Sequence, residues 1–484
     1  MERLVIRLLS VGWAVASVNS FVTHRHVQRF PYQVHGSARV LPHPMLQLVD
    51  DDRDGLSRRQ LGELSVAGLG LGVSFFGTRE VKPTDYGLWG ILPVGTYKSK
   101  KTIQDEIVPG MIWTLDQRFG ILNVQVPLRM TVIKLKNGGL FVYNPIAATP
   151  ECLGMLQDLS KKHGPLKHIV VGSVALEHKV YAGVMAQKFP QAQVWLTPGQ
   201  YSFPVNLPDP FLGFPASRTK LVPQRPEDAP EDWRDNFDFL TLGPFRSRDG
   251  AFAETVFRHK ESKTLIVTDT VLEVTEDVPK ILDSEPSALL YHARDTVTQI
   301  VQNTPEIRKI GWRRVALFGL YFMPSGIDIK ETSLAFKERR PDINPDFLGV
   351  YPWDWVRDDK ASFDALTGGL LVAPILQTLI LNRAPIQVLD FADTVSKWDF
   401  ERIIPAHFKN DLKYRGKDYR KAFSFLEDSG VPKGLPKPLD ADLQFLKDSE
   451  VSLQESGSIA ACPPLPGGRF TRDEILARTV LRKV

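Results

Sequence analysis

Two imidazoles and two carboxylates stand just beyond apolar runs in this chain of 484 residues: the pair Glu177-His178, then Asp269, then His407. The pair follows Ile169-Val170-Val171, Asp269 closes Leu265-Ile266-Val267-Thr268, and His407 closes Ile403-Ile404-Pro405-Ala406. Short β-branched apolar runs read as buried strands, and side chains just past strand ends converge where loops gather over a fixed sheet. Oxygen and imidazole donors held in that way suit one divalent ion, Zn²⁺, Mn²⁺ or Fe²⁺. The same four residues can instead hydrogen-bond one another with no metal at all. Glu177 and Asp269 are also the candidate catalytic groups, Asp269 as the base that orients a water. Ser173 and Tyr181 are the nearest polar groups that could donate to a developing oxyanion.

The elements that must position these residues are legible upstream. Arg129 to Lys136 alternates like a strand, Asn137-Gly138-Gly139 is a hairpin turn, and Leu140 to Tyr143 is the returning strand. A helix opens at Thr149 with Pro150 in its first turn and closes at Gly164-Pro165. It leads into the strand Lys167 to Val171. Glu177 to Phe189 reads as a helix stopped by Pro190, and Gln193 to Leu196 as the next strand. Residues 204–230, rich in Pro and charge, read as a long surface loop. His259 falls in a polar hairpin turn and is expected to be exposed, whereas His168 and His292 read as structural.

The stretch Ser173-Val174-Ala175-Leu176-Glu177-His178 resembles the His-x-His-x-Asp-His signature of metallo-β-lactamase-fold hydrolases, with Ser173 and Ala175 in place of the first two His. Leu265 to Asp269 and Ile403 to His407 resemble that fold's later strand-then-Asp and strand-then-His elements, in the same order. The resemblance implies an α/β fold, the αββα sandwich, with a long insertion before the last motif. It implies that one of two metal sites is lost, since the third His of that site falls near Gly250, and that the second keeps Glu177, His178, Asp269 and His407. Glu177 stands where the pattern has Asp, adding about 1.5 Å of reach. The phrases Leu92-Pro93-Val94-Gly95, Glu177-His178-Lys179, Phe189-Pro190-Gln191-Ala192 and Ile404-Pro405-Ala406-His407 further resemble an uncharacterised family of cyanobacteria, algae and plants, a domain of unknown function related to metallo-β-lactamases. That likeness covers about residues 86–430 and implies a plastid compartment but no substrate.

Composition bounds the rest. Hydrophobic residues make up 43% of the chain, enough for one large core. Residues 1–49 carry five arginines against the single acid Glu2, a charge equal to the +4 of the whole chain, so the remainder is neutral. Nucleic acid is therefore not an expected partner. Two cysteines, Cys152 and Cys462, exclude a disulfide framework and a thiolate metal site. No phosphate-binding Gly-rich loop is present.

Residues 1–20 have the charge, apolar run and small residues of a signal peptide. Residues 21–49 are acid-free and basic, with four of the ten histidines, like the two-part plastid address of algae with complex plastids. Residues 50–85 contain Arg58-Arg59 before an apolar Gly-rich stretch, the form of a twin-arginine signal, so both stroma and thylakoid remain open. Phe318 to Pro324 and Tyr351 to Trp355 are expected in a core. Gly368 to Leu381, the most hydrophobic run, is too short to span a bilayer and reads as a buried helix or one touching the thylakoid surface. Residues 431–484 read as a C-terminal tail, a linker plus docking segment with a short final helix at Thr471 to Val480.

The sequence therefore points to a plastid protein of unknown substrate, a mononuclear metal-dependent hydrolase. Its alternative is a non-catalytic scaffold or assembly factor that has lost its metal and whose partner is a plastid protein rather than a small molecule.

Overall fold

The computed structural model describes residues 100–479 apart from 122, 202–207, 249 and 345. The expected signal peptide, transit-like and twin-arginine segments, and Leu92 to Gly95, lie outside the described residues.

Strands β1 (Ile103–Val108), β2 (Ile112–Ile121), β3 (Val124–Lys134) and β4 (Leu140–Tyr143) form an antiparallel meander. β5 (Leu166–Val171), β6 (Gln193–Leu196) and β7 (Thr219–Leu221) extend it in parallel, giving a seven-stranded sheet in chain order. The change from antiparallel to parallel follows from helix α1 (Pro150–His163), which carries the chain back over one face, as a parallel pairing requires. Thr149 caps α1 by accepting from the Cys152 amide, and Gly164, at φ +98°, ends it.

A second sheet runs β13 (Arg402–Ile404), β10 (Thr264–Ile266), β9 (Ala251–His259), β8 (Phe237–Arg246). β8, β9 and β10 are antiparallel, and β13 joins β10 in parallel after the long insertion.

Strand alternation decides the layers. Phe141 and Tyr143 of β4 point inward, meeting Phe237, Phe239, Phe257, Ile266 and Ile404 of the second sheet. Their neighbours Leu140 and Val142 point outward onto Cys152, Leu156 and Leu159 of α1. The outer face of the second sheet, with Val256, Leu265 and Ile403, packs on Trp312, Val315 and Phe318 of a long helix, Pro305–Tyr321. Helix, sheet, sheet, helix is the order of the layers, so the expected αββα sandwich is the fold, and the insertion before His407 supplies its fourth layer. A separate two-stranded sheet, β11 (Ile327–Ile329) with β12 (Trp353–Trp355), lies within that insertion. Tyr351 and Trp353 are buried in the core, as expected.

Several expectations are corrected. Glu177 to Phe189 is two short helices, α2 (Leu176–Lys179) and α3 (Ala182–Lys188), parted at Val180 and Tyr181. The loop expected over 204–230 contains β7, an edge strand of three residues whose exposed Leu221 hid the alternation. His259 is buried: it is the last residue of β9, paired with Phe237 and Thr264, with Nδ1 2.8 Å from the Ser262 hydroxyl. Residues 431–479 dock on the main core, where Leu446 and Leu453 of the helix Gln444–Glu455 are buried, and the expected final helix is Arg472–Arg478. Gly368 to Leu381 is built around the helix Pro374–Leu379, and its apolar side chains are buried in the same core. It presents no apolar face to a membrane. Among the described residues no helix is long and apolar enough to cross one.

Candidate metal centre

All four predicted residues meet. Glu177, His178, Asp269 and His407 each bring one ligand atom into a cluster whose members lie within 4.8 Å of one another. His407 Nε2 is 3.3 Å from His178 Nε2, 3.5 Å from Asp269 Oδ1 and 3.9 Å from Glu177 Oε1. Metal–ligand bonds of about 2.0–2.1 Å place tetrahedral ligand atoms about 3.3–3.4 Å apart, which the His407–His178 and His407–Asp269 distances approach, whereas Glu177 at 3.9 Å stands wider. The longer side chain of Glu177 points into the cluster, the orientation on which the site depends.

Each ligand sits at the end of an element. Glu177 and His178 are in α2, on the chain leaving β5. Asp269 follows β10, and His407 follows β13. The His407 loop is docked on the part of β3 that extends beyond the reach of β4, where main-chain groups would otherwise lack partners. There the Arg129 amide donates to the Ala406 carbonyl at 2.9 Å and His407 Nδ1 donates to the Pro127 carbonyl at 2.8 Å. Residues 127 and 129 present their main chain to the same side, so Pro127 interrupts no ladder with β2. The Arg129 guanidinium completes the clamp, donating to the carbonyls of Pro405 at 2.7 Å and Phe408 at 3.1 Å while pairing with Asp116 of β2 at 2.7 Å. Phe408, held at φ +58°, is in the left-handed region that a side chain disfavours, and the clamp retains it there.

On the other side, Asn144, also at positive φ, accepts from the Gly172 amide at 2.8 Å and donates to the Thr268 hydroxyl at 2.9 Å. It thereby joins the β5 loop to the β10 loop. Asn tolerates that backbone region better than most residues. Sequence reading passed over Arg129, Pro127 and Glu254, of which more below. For Arg129, Pro127 and Asn144 the partners that give these residues their roles are more than a hundred positions away.

Electrostatics follow burial. Glu177, His178 and His407 are almost wholly enclosed, and Asp269 is the most open, with 15% of its side chain exposed. Burial pushes the Glu177 carboxyl up to about 7, against the opposing charge of Lys179. Burial, then the charges of Glu177 and Glu254, raise Asp269 well above the usual carboxylate range. The imidazoles move the other way: burial lowers His407 to about 4, and burial with the nearby His407 lowers His178.

The donor set was tested against a metal on the groups' own partners. Because His407 Nδ1 donates its proton to Pro127, Nε2 turns a lone pair to the centre. Glu177 Oε2, Asp269 Oδ2 and His178 Nδ1 are buried with no hydrogen-bond partner. Two carboxyl groups and two neutral imidazoles crowd a dry site in which Glu177 Oε2 and Asp269 Oδ2 lack partners, an arrangement that a cation satisfies. His178 turns Nε2 to the cluster, and its Nδ1 lies on the far side of the ring. The residues fit a single divalent metal.

The other predicted groups do not join the cluster. The Ser173 hydroxyl accepts from the Ala175 amide, and Ala175 is a buried apolar residue. Tyr181 packs edge-on to Phe119 and accepts from Lys100 Nζ at 2.9 Å, so its hydroxyl is already engaged. His168 is structural, as expected, accepting from Trp195 Nε1 and facing Asp232.

An α/β sandwich with a His- and carboxylate-lined centre at its strand ends is thus in place before any comparison. Residues 109–425 match the family described as a domain of unknown function, DUF4336, and the chain belongs to that family. No curated protein sequence matches it. Among solved structures, it is similar to a flavo-diiron protein from Thermotoga maritima, at 11% identity and a TM-score of 0.33 over 67% of this chain and 62% of that one. A metallo-β-lactamase from Pontibacter korlensis matches at 8% identity and a TM-score of 0.33, over 67% of this chain and 99% of that one. A flavodiiron core from Synechocystis matches at 12% identity and 0.33, over 67% and 60%. The chain thus spans less than two thirds of the flavo-diiron proteins it resembles.

Proposed function

We propose that this protein is a mononuclear metal-dependent hydrolase of the plastid, with the metal held by His178, His407, Asp269 and Glu177. The observation that carries the reading is the convergence of those four buried side chains, each with a ligand atom within 4.8 Å of the others, with carboxyl oxygens among them that lack partners. When bound there, a divalent metal supplies Lewis-acid polarisation of an ester, thioester, amide or phosphoester oxygen and acidifies water. The chain's own groups do the rest. Asp269, the most exposed of the four, orients the water and accepts its proton. Glu177, whose carboxyl is raised by burial to about 7 in the metal-free site, gives up its proton to serve as a ligand. Nothing in the charge balance favours a nucleic-acid substrate. Residues 1–49 support the plastid assignment through their two-part address, tested by whether they carry a fluorescent reporter into the plastid of an algal cell.

The closure of the site favours a second reading. Four protein ligands leave no open position, which is the form of structural rather than catalytic centres. In that case the metal ties three loops together, and the protein is a scaffold that recognises a plastid protein.

The deciding experiment is elemental mass spectrometry on full-length protein purified without chelator or affinity metal, beside the His178→Ala/His407→Ala double variant. About one metal per chain, absent from the variant, supports the centre; no metal in either protein ends it. With a metal present, hydrolysis of simple ester and phosphoester substrates, abolished in the double variant, separates enzyme from scaffold.

A further inference from the structure

Glu254 stands in the middle of β9 with its side chain fully buried, yet it contributes no ligand atom to the cluster. Oε1 accepts from the Thr268 amide at 2.7 Å and the Thr270 hydroxyl at 2.9 Å. Oε2 accepts from the amides of Asp269 at 2.8 Å and Thr270 at 2.9 Å. Three successive amides thus converge on one carboxylate, a concave arrangement that an anion satisfies and a neutral group does not. The middle amide is that of Asp269 itself.

The main chain of Glu254 reaches the other half of the site. It forms a bridge with Ser173, flanked by hydrogen bonds from the Thr255 amide to the Gly172 carbonyl at 2.8 Å and from the Val174 amide to the Ala253 carbonyl at 3.1 Å. One residue therefore ties the strand end that leads to Glu177-His178 to the loop that carries Asp269. The Thr268 hydroxyl adds contacts to Tyr143 at 2.6 Å and Asn144 at 2.9 Å, so the loop is fixed from both sides.

The geometry points to Glu254 as the positioning residue of the centre: its carboxylate sets where Asp269 reaches, and so tunes how the four ligands hold a metal. This rests on the metal reading above. Glutamine cannot replace it, because the amide NH₂ would face amide donors in half of the cradle. Aspartate keeps the charge and the acceptors but falls one methylene short.

The test uses cobalt(II) as a spectroscopic metal, titrated into full-length wild type, Glu254→Gln and Glu254→Asp, with hydrogen exchange measured at the amides of residues 268–270. The expected result is a changed visible d–d spectrum and about 10–100-fold weaker cobalt binding in the Gln variant. Exchange at those amides is faster, unfolding stays cooperative, and the Asp variant recovers part of the affinity. A Gln variant with the wild-type spectrum and affinity overturns the inference, even if its melting temperature falls, since a purely structural role moves only stability. Should the Gln variant fail to fold, the Asp variant decides: an unshifted spectrum there overturns it equally. Wild type that takes up no cobalt ends the metal reading itself and this inference with it, an outcome distinct from binding that ignores Glu254.

Discussion

At the scale of single residues, burial drives the four groups of the centre toward their uncharged forms, the acids keeping protons and the imidazoles shedding them. Glu177 and Asp269 have raised pKa values, so the metal-free folded chain holds protons that the unfolded chain releases. For Glu177 the contribution to stability is complete below the ordinary Glu value of 4.5 and is lost as pH rises through about 7, and the raised Asp269 acts in the same sense. His407 is depressed, so its contribution is present above 6.5 and lost as pH falls through about 4, and the lowered His178 acts in the same sense. Among these four groups only the carboxyls act above 6.5. Lys179, lowered by burial to about 7, acts in the opposite sense over the same range. The expected outcome is therefore comparative: one equivalent of Zn²⁺ raises the melting temperature of chelator-treated protein more at pH 8 than at pH 6.5. Calorimetry at both pH values checks this, and an unchanged slope with Zn²⁺ counts against a metal at these ligands. The same protons compete with the metal, so its affinity is expected to fall as pH is lowered through about 7. The types and order of the four ligands were legible in the sequence. Which way Glu177 points was not, since that depends on side chains brought in from 92 to 230 positions away.

At the scale of elements, the His407 loop depends on β3. Arg129 donates to two carbonyls that bracket His407, and its backbone holds a third. Arg129→Met keeps most of the side chain's bulk but removes both side-chain bonds and leaves Asp116 without its partner. A destabilisation of about 2–4 kcal/mol is expected from those losses. Urea unfolding measures it, and hydrogen exchange should show residues 405–408 opening before the rest of the second sheet. A variant as stable as wild type would remove the clamp from this account. The elements themselves were largely readable: Leu140 to Tyr143, Gln193 to Leu196 and the capped helix from Pro150 stand where periodicity, turns and caps place them. β7 and the buried His259 were not, because an edge strand of three residues has too few positions to alternate, and the burial of a strand's last residue is decided by the neighbours it pairs with.

At the scale of the whole molecule, the second sheet is stable only with its outer helical layer, and that layer draws on the insertion and on the C-terminal segment alike. Leu446 and Leu453 are buried in the core that also holds Ile375 and Leu376. Ending the chain after residue 430 strips those contacts, and burial of two leucines is worth about 3–6 kcal/mol. The truncated protein is expected to lose cooperative unfolding or to melt at least 10 °C lower, by differential scanning calorimetry. A truncation that melts like the full chain would restore the reading of this segment as a tail. By itself the sequence determined individual strands, the hairpin turn and the capped helix, because apolar alternation, turn glycines and helix caps act over a few neighbouring positions, while its resemblance to the metallo-β-lactamase signature pointed to the class of fold and the four residues of the centre. Tertiary structure alone decided that those four side chains meet, that Glu254 and Arg129 hold their loops, and that Gly368 to Leu381 is interior. Each of these rests on contacts between segments far apart in the chain, where no local pattern records which strand ends are brought together.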